Sequence, residues 1–306
     1  MARAETKGGD ADPVFAGIEL GGTKCICTLA AGPGDIRDQQ TIPTTVPSET
    51  LPTIKRVLDQ WFASSGFAGL GVASFGPVHL HRDQPRYGRI GATNKPDWEG
   101  ADLLAPLRAF GVPIGFDTDV NGAALAEMRW GCGQGLDDFA YVTVGTGVGV
   151  GLIVHGRPTR GFSHSEIGHL RVPRLAGDDS ASVCRFHDDC IEGLASGTAL
   201  QARLDGRSLS DVGPDDPVWE PIVHCLAVMV HDLACTTGPL RVAMGGGVIS
   251  GQPHLLPRIN AKVEESLAGY LPLPGDGNYV VAPQLGTVAG PMGAIALAMG
   301  AAAAHA

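Results

Sequence analysis

The sequence has few positive charges and no long apolar run. Its 306 residues include 22 Lys and Arg against 32 Asp and Glu, a formal net charge of −10, whereas nucleic-acid-binding surfaces need clustered basic side chains. No segment approaches the roughly 20 apolar residues that span a bilayer, and residues 1–13 lack the apolar core of a secretion signal. We therefore expect no nucleic-acid partner, no membrane span and a cytoplasmic location.

A P-loop is also missing, and the cysteines lack the setting in which disulfides usually form. No Gly-x-x-x-x-Gly-Lys-Ser/Thr pattern occurs, which excludes a P-loop nucleotide site. The seven cysteines come without a secretion signal, and disulfides are uncommon in that setting, so metal binding or buried thiols are the better interpretation.

Apolar segments of strand length alternate with helical patterns, which predicts an α/β fold with parallel or mixed sheets. A hairpin is expected from residues 14–20 and 25–30, and the same pattern restarts at residues 139–144 and 148–154. This repetition predicts two related domains that face each other, with a boundary near Asp119. The predicted domains are residues 14–118, completed by a C-terminal helix at 288–300, and residues 119–287; further helices are expected at 50–64, 122–130 and 218–237.

Glycine turns in both halves suggest a nucleotide site. In Glu19-Leu20-Gly21-Gly22-Thr23-Lys24, paired glycines let backbone N–H groups form a nest for phosphate oxygens, although a plain hairpin turn with a solvated lysine fits equally well. Gly145-Thr146-Gly147 supplies a second turn of this kind, so that the two turns can hold one triphosphate between them. A third cluster, Gly245-Gly246-Gly247, either admits an adenosine or is only a strand-to-helix turn.

A metal site is predicted from Cys184, His187 and Cys190, spaced three residues apart, with His169 upstream. Two thiolates and two imidazoles make a closed tetrahedral set, which is typical of structural zinc. The alternative is two free thiols and an incidental histidine.

With these motifs the chain resembles the ROK family of sugar kinases and repressors, in the actin-like ATPase superfamily, over residues 14–299. Its fructokinase branch is the most similar, at residues 17–24, Ser74-Phe75-Gly76-Pro77, 87–90 and 95–98, although Glu19 stands where other members usually carry Asp. The resemblance implies two ribonuclease H-like domains with an interdomain cleft, a homodimer, and Mg²⁺-ATP as the phosphoryl donor.

The resemblance also implies an activity, namely phosphorylation of the 6-hydroxyl of D-fructose. Glucokinase or N-acetylmannosamine kinase activity, or a non-catalytic sugar-binding regulator, are the alternatives. The family's DNA-binding regulators carry a helix-turn-helix domain ahead of the sugar domain, and we expect none here because about a dozen residues precede the first strand.

Transfer of a phosphoryl group to a sugar hydroxyl needs a proton acceptor, and Asp119 is the expected base. From the residues alone, Asp117 or Asp119 could equally cap the following helix, because Asp is a favoured N-cap residue. The resemblance favours Asp119 as the base. It also implies that the sugar is bound by Asn94, Asn121, Glu166, His169 and Glu192, with His169 shared between the sugar site and the zinc.

Overall fold

The computed structural model describes residues 12–93, 95–275 and 277–305. Its strands are β1 (Phe15–Leu20), β2 (Lys24–Gly32), β3 (Asp35–Pro43), β4 (Leu70–Ser74), β5 (Ile114–Thr118), β6 (Phe139–Val144), β7 (Val148–Val154), β8 (Arg157–Pro158), β9 (Val242–Gly245) and β10 (Val280–Val281). Its α-helices are α1 (Pro47–Ser64), α2 (Asp119–Trp130), α3 (Ile191–Ala195), α4 (Gly197–Arg203), α5 (Trp219–Thr236), α6 (Gly247–Gly251), α7 (Leu255–Leu267) and α8 (Ala289–Ala303). Short 3-10 helices occur at Ala105–Phe110, Ile167–His169, Leu209–Asp211 and Gly286–Val288.

The strands form two mixed sheets of five strands each. The first has the order β3-β2-β1-β4-β5 and the second the order β10-β9-β6-β7-β8. In each sheet an antiparallel hairpin, β1–β2 or β6–β7, continues into parallel neighbours, β4 and β5 or β9 and β10. The predicted α/β class and the repeated hairpin are therefore confirmed.

Several elements differ from the sequence prediction, and α1, for example, begins at Pro47 rather than at residue 50. Helix α2 begins at Asp119 rather than at residue 122, because the Thr118 side chain caps it. Strand β3 was not predicted, since its sequence DIRDQQTIP lacks apolar alternation and only Ile42 within it is buried. Such a polar strand suits the edge position that β3 occupies.

Helix α8 packs against β1, β4 and β5 of the first sheet, and against α2. Gly71 of β4 is required by this contact, because a Cβ there would lie only 1.8 Å from the Ala294 carbonyl oxygen. Likewise, a Cβ at Gly293 would lie 2.4 Å from the carbonyl carbon of Gly122 in α2. The small residues of α8 thus let its backbone touch both a strand and a helix.

The apolar character of α8 also follows from this packing. The stretch Gly286–Ala303 is long and apolar enough to meet a length-and-composition test for a membrane span. Residues such as Met292, Ala294 and Ile295 are completely buried within the protein, so α8 is an interior helix.

Helix α2 packs on β6 and β7 of the second sheet. This packing supports a division of the chain at residues 118 and 119, with α8 completing the first unit, and we retain that division as a proposal.

Replacing Gly71 with alanine should destabilise the fold, because the new methyl group would meet backbone that cannot rotate away. We expect a loss of about 3 kcal/mol, the upper part of the usual range for overpacking, measured by urea unfolding. Gly34→Ala is the matched control, since a Cβ there meets nothing within 4 Å. Equal stability of the two variants would contradict the close approach of β4 and α8.

Candidate active site

Asp119 is the first residue of α2 and follows directly on β5. The Thr118 hydroxyl accepts a hydrogen bond from the Asn121 backbone N–H at 3.2 Å, so Thr118 is the N-cap. The possibility that Asp117 or Asp119 caps the helix is therefore wrong. The Asp119 carboxylate accepts the adjacent Val120 N–H at 2.9 Å, and a carboxylate with so few partners keeps acceptor capacity for a ligand.

Asp119 lies near two other carboxylates. Burial raises the pKa of Asp119 to about 6, and the charge of Glu166 adds to this effect. Burial also raises the pKa of Glu19 to about 7; the Asp119 charge raises it further and the Lys24 charge opposes the rise. Several carboxyl groups with raised pKa values in one place are typical of catalytic sites. Burial and neighbouring like charges disfavour the ionised form of a carboxyl group, so a protein keeps such a cluster mainly where its function needs it.

Glu19 lies at the end of β1 against the first turn of α8. A Cβ at Gly290 would be 2.0 Å from Glu19 Oε1, so only glycine leaves room for this carboxylate. Glu19 Oε2 is buried without a hydrogen-bond partner in the described protein. An unsatisfied buried carboxylate oxygen fits a cation or a water held by a cation.

The first glycine turn joins β1 to β2. The Gly21 N–H donates to the Lys24 carbonyl at 3.0 Å, and the Thr44 hydroxyl donates to the Gly21 carbonyl at 2.9 Å. Gly22, Thr23 and Lys24 are exposed. Lys95 donates to the Gly22 carbonyl, so the loop containing Lys95 is tied to this turn.

The second turn joins β6 to β7 and is held from α4. The Gly197 N–H donates to the Gly145 carbonyl at 2.7 Å, and the Thr198 hydroxyl donates to the Thr146 carbonyl at 2.8 Å. The Thr146 residue itself is exposed. The turn is therefore fixed at its back while its tip remains open.

The third glycine cluster is a strand-to-helix turn beside the second. Gly245 ends β9, Gly246 has a φ of 88° and Gly247 begins α6. A Cβ at Gly246 would be 2.6 Å from the backbone of Val144, the residue before the second turn. The strand-to-helix interpretation is therefore correct for the backbone. Because this turn lies beside the second glycine turn, a contact with the nucleotide stays a prediction.

The predicted sugar residues lie in different environments. Asn121 is 1% exposed, and its amide donates to Asp117 Oδ1 at 2.8 Å. Glu166 is exposed as a whole residue. Its carboxyl group is nevertheless partly shielded from water, which raises its pKa. Glu192 accepts from the Val148 N–H at 3.1 Å. Asn94 lies outside the described residues.

His169, Cys184, His187 and Cys190 form one cluster. Their ligand atoms all lie within 4.8 Å of one another, and His169 Nδ1 is 3.8 Å from each sulfur. Zinc bonds of about 2.3 Å to sulfur and 2.0 Å to nitrogen separate tetrahedral ligands by about 3.5 Å, so the donor set fits zinc. His169 Nε2 is 3.8 Å from Glu192 Oε1, which places a carboxylate behind the ligand.

Two polar residues that contact the first half of the chain were missed by the sequence analysis. Arg160 pairs with Asp117, and His164 contacts the Val78 backbone. In the sequence both residues stand just before the segment from Glu166 to His169, which was the one available hint. Neither residue shows a spacing that identifies its partner.

Paired sheets joined through α2 and α8, with glycine turns at the strand ends and a carboxylate at the start of α2, define a phosphotransferase of the actin-like ATPase superfamily. The model of the ROK family matches residues 15–301. The chain belongs to the ROK family and is a sugar kinase.

The chain is 38% identical to a fructokinase from Pediococcus pentosaceus, over 94% of this chain and 98% of that one. It is 39% identical to a fructokinase from Zymomonas mobilis, over 94% of this chain and 97% of that one. Among solved structures it is similar to a ROK family glucokinase from Streptomyces griseus in complex with glucose and AMPPNP. There the TM-score is 0.75 and the identity 25%, over 94% of this chain and 99% of that one.

The Cys/His cluster predicts about one zinc per chain, because its four ligands make a closed tetrahedral set. Elemental analysis of the purified protein should detect it. Cys184→Ser should lose the metal and lower the melting temperature, since the binding energy of structural zinc is folding energy. Cys235→Ser is the control, because Cys235 is exposed and lies outside the cluster. A zinc-free protein whose melting temperature is unchanged by a strong chelator would contradict the assignment.

Proposed function

We propose that the chain transfers the γ-phosphoryl group of ATP to the 6-hydroxyl of D-fructose. The observation that carries this proposal is Asp119, a carboxylate with open acceptor capacity at the start of α2. The fructokinases similar to this chain over nearly its whole length support fructose as the sugar. The proposed nucleotide contacts are the glycine turns at Gly21-Gly22-Thr23-Lys24 and Gly145-Thr146-Gly147, with the cluster at Gly245-Gly246-Gly247.

Asp119 would accept the proton of the attacking hydroxyl as the bond to phosphorus forms. Its raised pKa suits this task, because a base with a pKa near the working pH is both ionised and able to hold a proton. Glu166 and Glu192, with Asn94, Asn121 and His169, would bind the other hydroxyls of the hexose. The bound sugar would then present one hydroxyl to Asp119.

Two metals have separate places in this proposal. Mg²⁺ bound with ATP would neutralise the charge of the phosphates. Glu19 would hold this Mg²⁺ ion, directly or through water. Zinc at the Cys/His cluster would be structural, and would fix the direction of His169 and of Glu192 beside it. A homodimer and a cytoplasmic location remain predictions from the resemblance and the sequence.

Glucose phosphorylation is the second candidate activity. It is supported by the similarity to the Streptomyces griseus glucokinase, whose structure holds glucose and AMPPNP. N-acetylmannosamine kinase activity is the remaining alternative from the sequence analysis; the non-catalytic regulator is set aside, because the chain is a sugar kinase.

Asp119→Asn should test whether Asp119 is the catalytic base. General-base catalysis contributes about 100- to 10,000-fold, so we expect kcat to fall by about that factor while hexose binding is retained. A coupled assay of ADP release with fructose, glucose, mannose and N-acetylmannosamine measures both the activity and the preferred sugar. Asp59→Asn, an exposed position on α1, is the control. Activity on none of the four sugars would refute the hexokinase assignment, and undiminished turnover by Asp119→Asn would refute the role of Asp119.

The pH profile of kcat/KM should report the ionisation of Asp119. Because the ionised carboxylate is the base, activity should be present above the pKa of Asp119, about 6, and should be lost as the pH falls through it. In Asp119→Asn the residual activity should lack this acidic limb. A wild-type profile flat from pH 5 to 8 would contradict this assignment.

A further inference from the structure

The segment of residues 159–166, which we call the strap, leaves the second sheet after β8 and contacts the first half of the chain at Asp117 and Val78. It starts after β8 and ends at the 3-10 helix Ile167–His169, which carries a ligand of the proposed zinc site. Phe162, midway along the strap, is completely exposed. The centre of the strap is therefore not held by apolar burial. Two polar side chains hold it instead.

Arg160 is the first of these anchors. Its Nη2 lies 2.5 Å from Asp117 Oδ2, at the end of β5. Asp117 is 1% exposed, and its other oxygen accepts from the Thr118 N–H and from the Asn121 amide, both at 2.8 Å. A buried carboxylate needs such a partner, because a charge removed from water without one is strongly destabilising. Arg160 thereby fixes the carboxylate that orients Asn121, two residues beyond Asp119.

His164 is the second anchor. It is 7% exposed, and its Nε2 accepts a hydrogen bond from the Val78 N–H at 3.0 Å. Its Nδ1 must then carry the proton, and lies 3.3 Å from the Ser165 carbonyl and 3.5 Å from Glu166 Oε1. The imidazole therefore joins the loop after β4 to the segment that carries Glu166.

Gly76 lies beneath this second anchor. A Cβ there would be 3.2 Å from His164 Cε1 and 3.3 Å from Glu166 Oε1. The Glu166 carboxylate thus rests against the backbone of the first half, and its position depends on the strap remaining in place.

We propose that the strap is a positioning element for the sugar side of the reaction, with Arg160 and His164 as its two anchors. Arg160 keeps Asp117 and Asn121 in place beside Asp119, and His164 keeps Glu166 against Gly76. Neither side chain takes part in proton or phosphoryl transfer. The inference rests on the proposed function, because it names what these residues do for a hexose bound there.

Removal of an anchor should impair the use of the hexose and leave the binding of ATP unchanged. The first glycine turn is held by Thr44 and the second by α4, so neither depends on the strap. A displacement of about 1 Å at a reacting centre can cost about 100-fold in rate. Arg160→Met should therefore lower kcat/KM for the hexose by about 100-fold, while KM for ATP stays within about twofold.

The controls use the same residue types. Arg157→Met removes an exposed arginine from β8 and should leave both constants unchanged. For the second anchor, His164→Ala should lose hexose kcat/KM, and His164→Gln should restore most of it, since the Gln oxygen can accept the Val78 N–H.

A double variant separates positioning from simple stabilisation. Arg160→Met leaves the Asp117 charge buried and unpaired, and should lower the melting temperature. The double variant Asp117→Asn with Arg160→Met removes that charge, and should restore the melting temperature. If the strap positions the sugar site, the double variant stays poor in hexose kcat/KM despite its recovered stability, because the link between the halves is still missing. If Arg160 only stabilises, activity returns together with stability, and the proposal is wrong.

Two further results would also overturn the strap proposal: Arg160→Met kinetics equal to those of Arg157→Met, or a loss seen only in KM for ATP. No phosphorylation of any hexose by the wild-type chain would instead reject the proposed function. Calorimetric hexose affinities of the same variants would then test the strap, which predicts weaker binding in Arg160→Met and in His164→Ala than in the wild type.

Discussion

Helices α2 and α8 approach so closely at Gly122 and Gly293 that position 293 has no room for a Cβ. The rest of the site depends on this contact, because each helix begins at a carboxylate: α2 at Asp119, and α8 against Glu19. Close backbone packing allows little independent movement. At the other end of α2, the completely buried Glu127 carboxylate accepts from the Gln284 and Leu285 N–H groups, at 3.2 and 2.8 Å, and so ties α2 to the segment before α8.

Much of the fold could be predicted because its signals are local. The β1–β2 and β6–β7 hairpins were visible as apolar runs around glycine turns, and the metal cluster as a regular spacing of cysteine and histidine. Strand β3 was not, because its polar sequence lacks the apolar alternation that marks a strand, although it pairs along β2 at the sheet edge. The Arg160–Asp117 pair could not be predicted either, since its partners are 43 residues apart and neither has a pattern that specifies the other.

The proposed site combines elements that differ in how they are held. The glycine turns are fixed by hydrogen bonds from their own surroundings, Thr44 and Thr198. Two of the proposed sugar residues lie outside the longer regular elements, since Glu166 is on the strap and His169 is on a 3-10 helix of three residues, and such segments need other constraints to keep a geometry. The proposed zinc site would supply one constraint through His169, and the strap would supply another. This part of the sugar side would then be held by cross-links, whereas Asn121 and Glu192 lie on α2 and α3.

The central claim is that Asp119 takes the proton of the acceptor hydroxyl. A crystal structure of the protein with fructose and a non-hydrolysable ATP analogue tests it most directly. The account predicts an Asp119 carboxylate oxygen about 2.6–3.2 Å from one sugar hydroxyl, with that hydroxyl directed at the terminal phosphorus. An Asp119 side chain turned away from the sugar, with another base in its place, would contradict it.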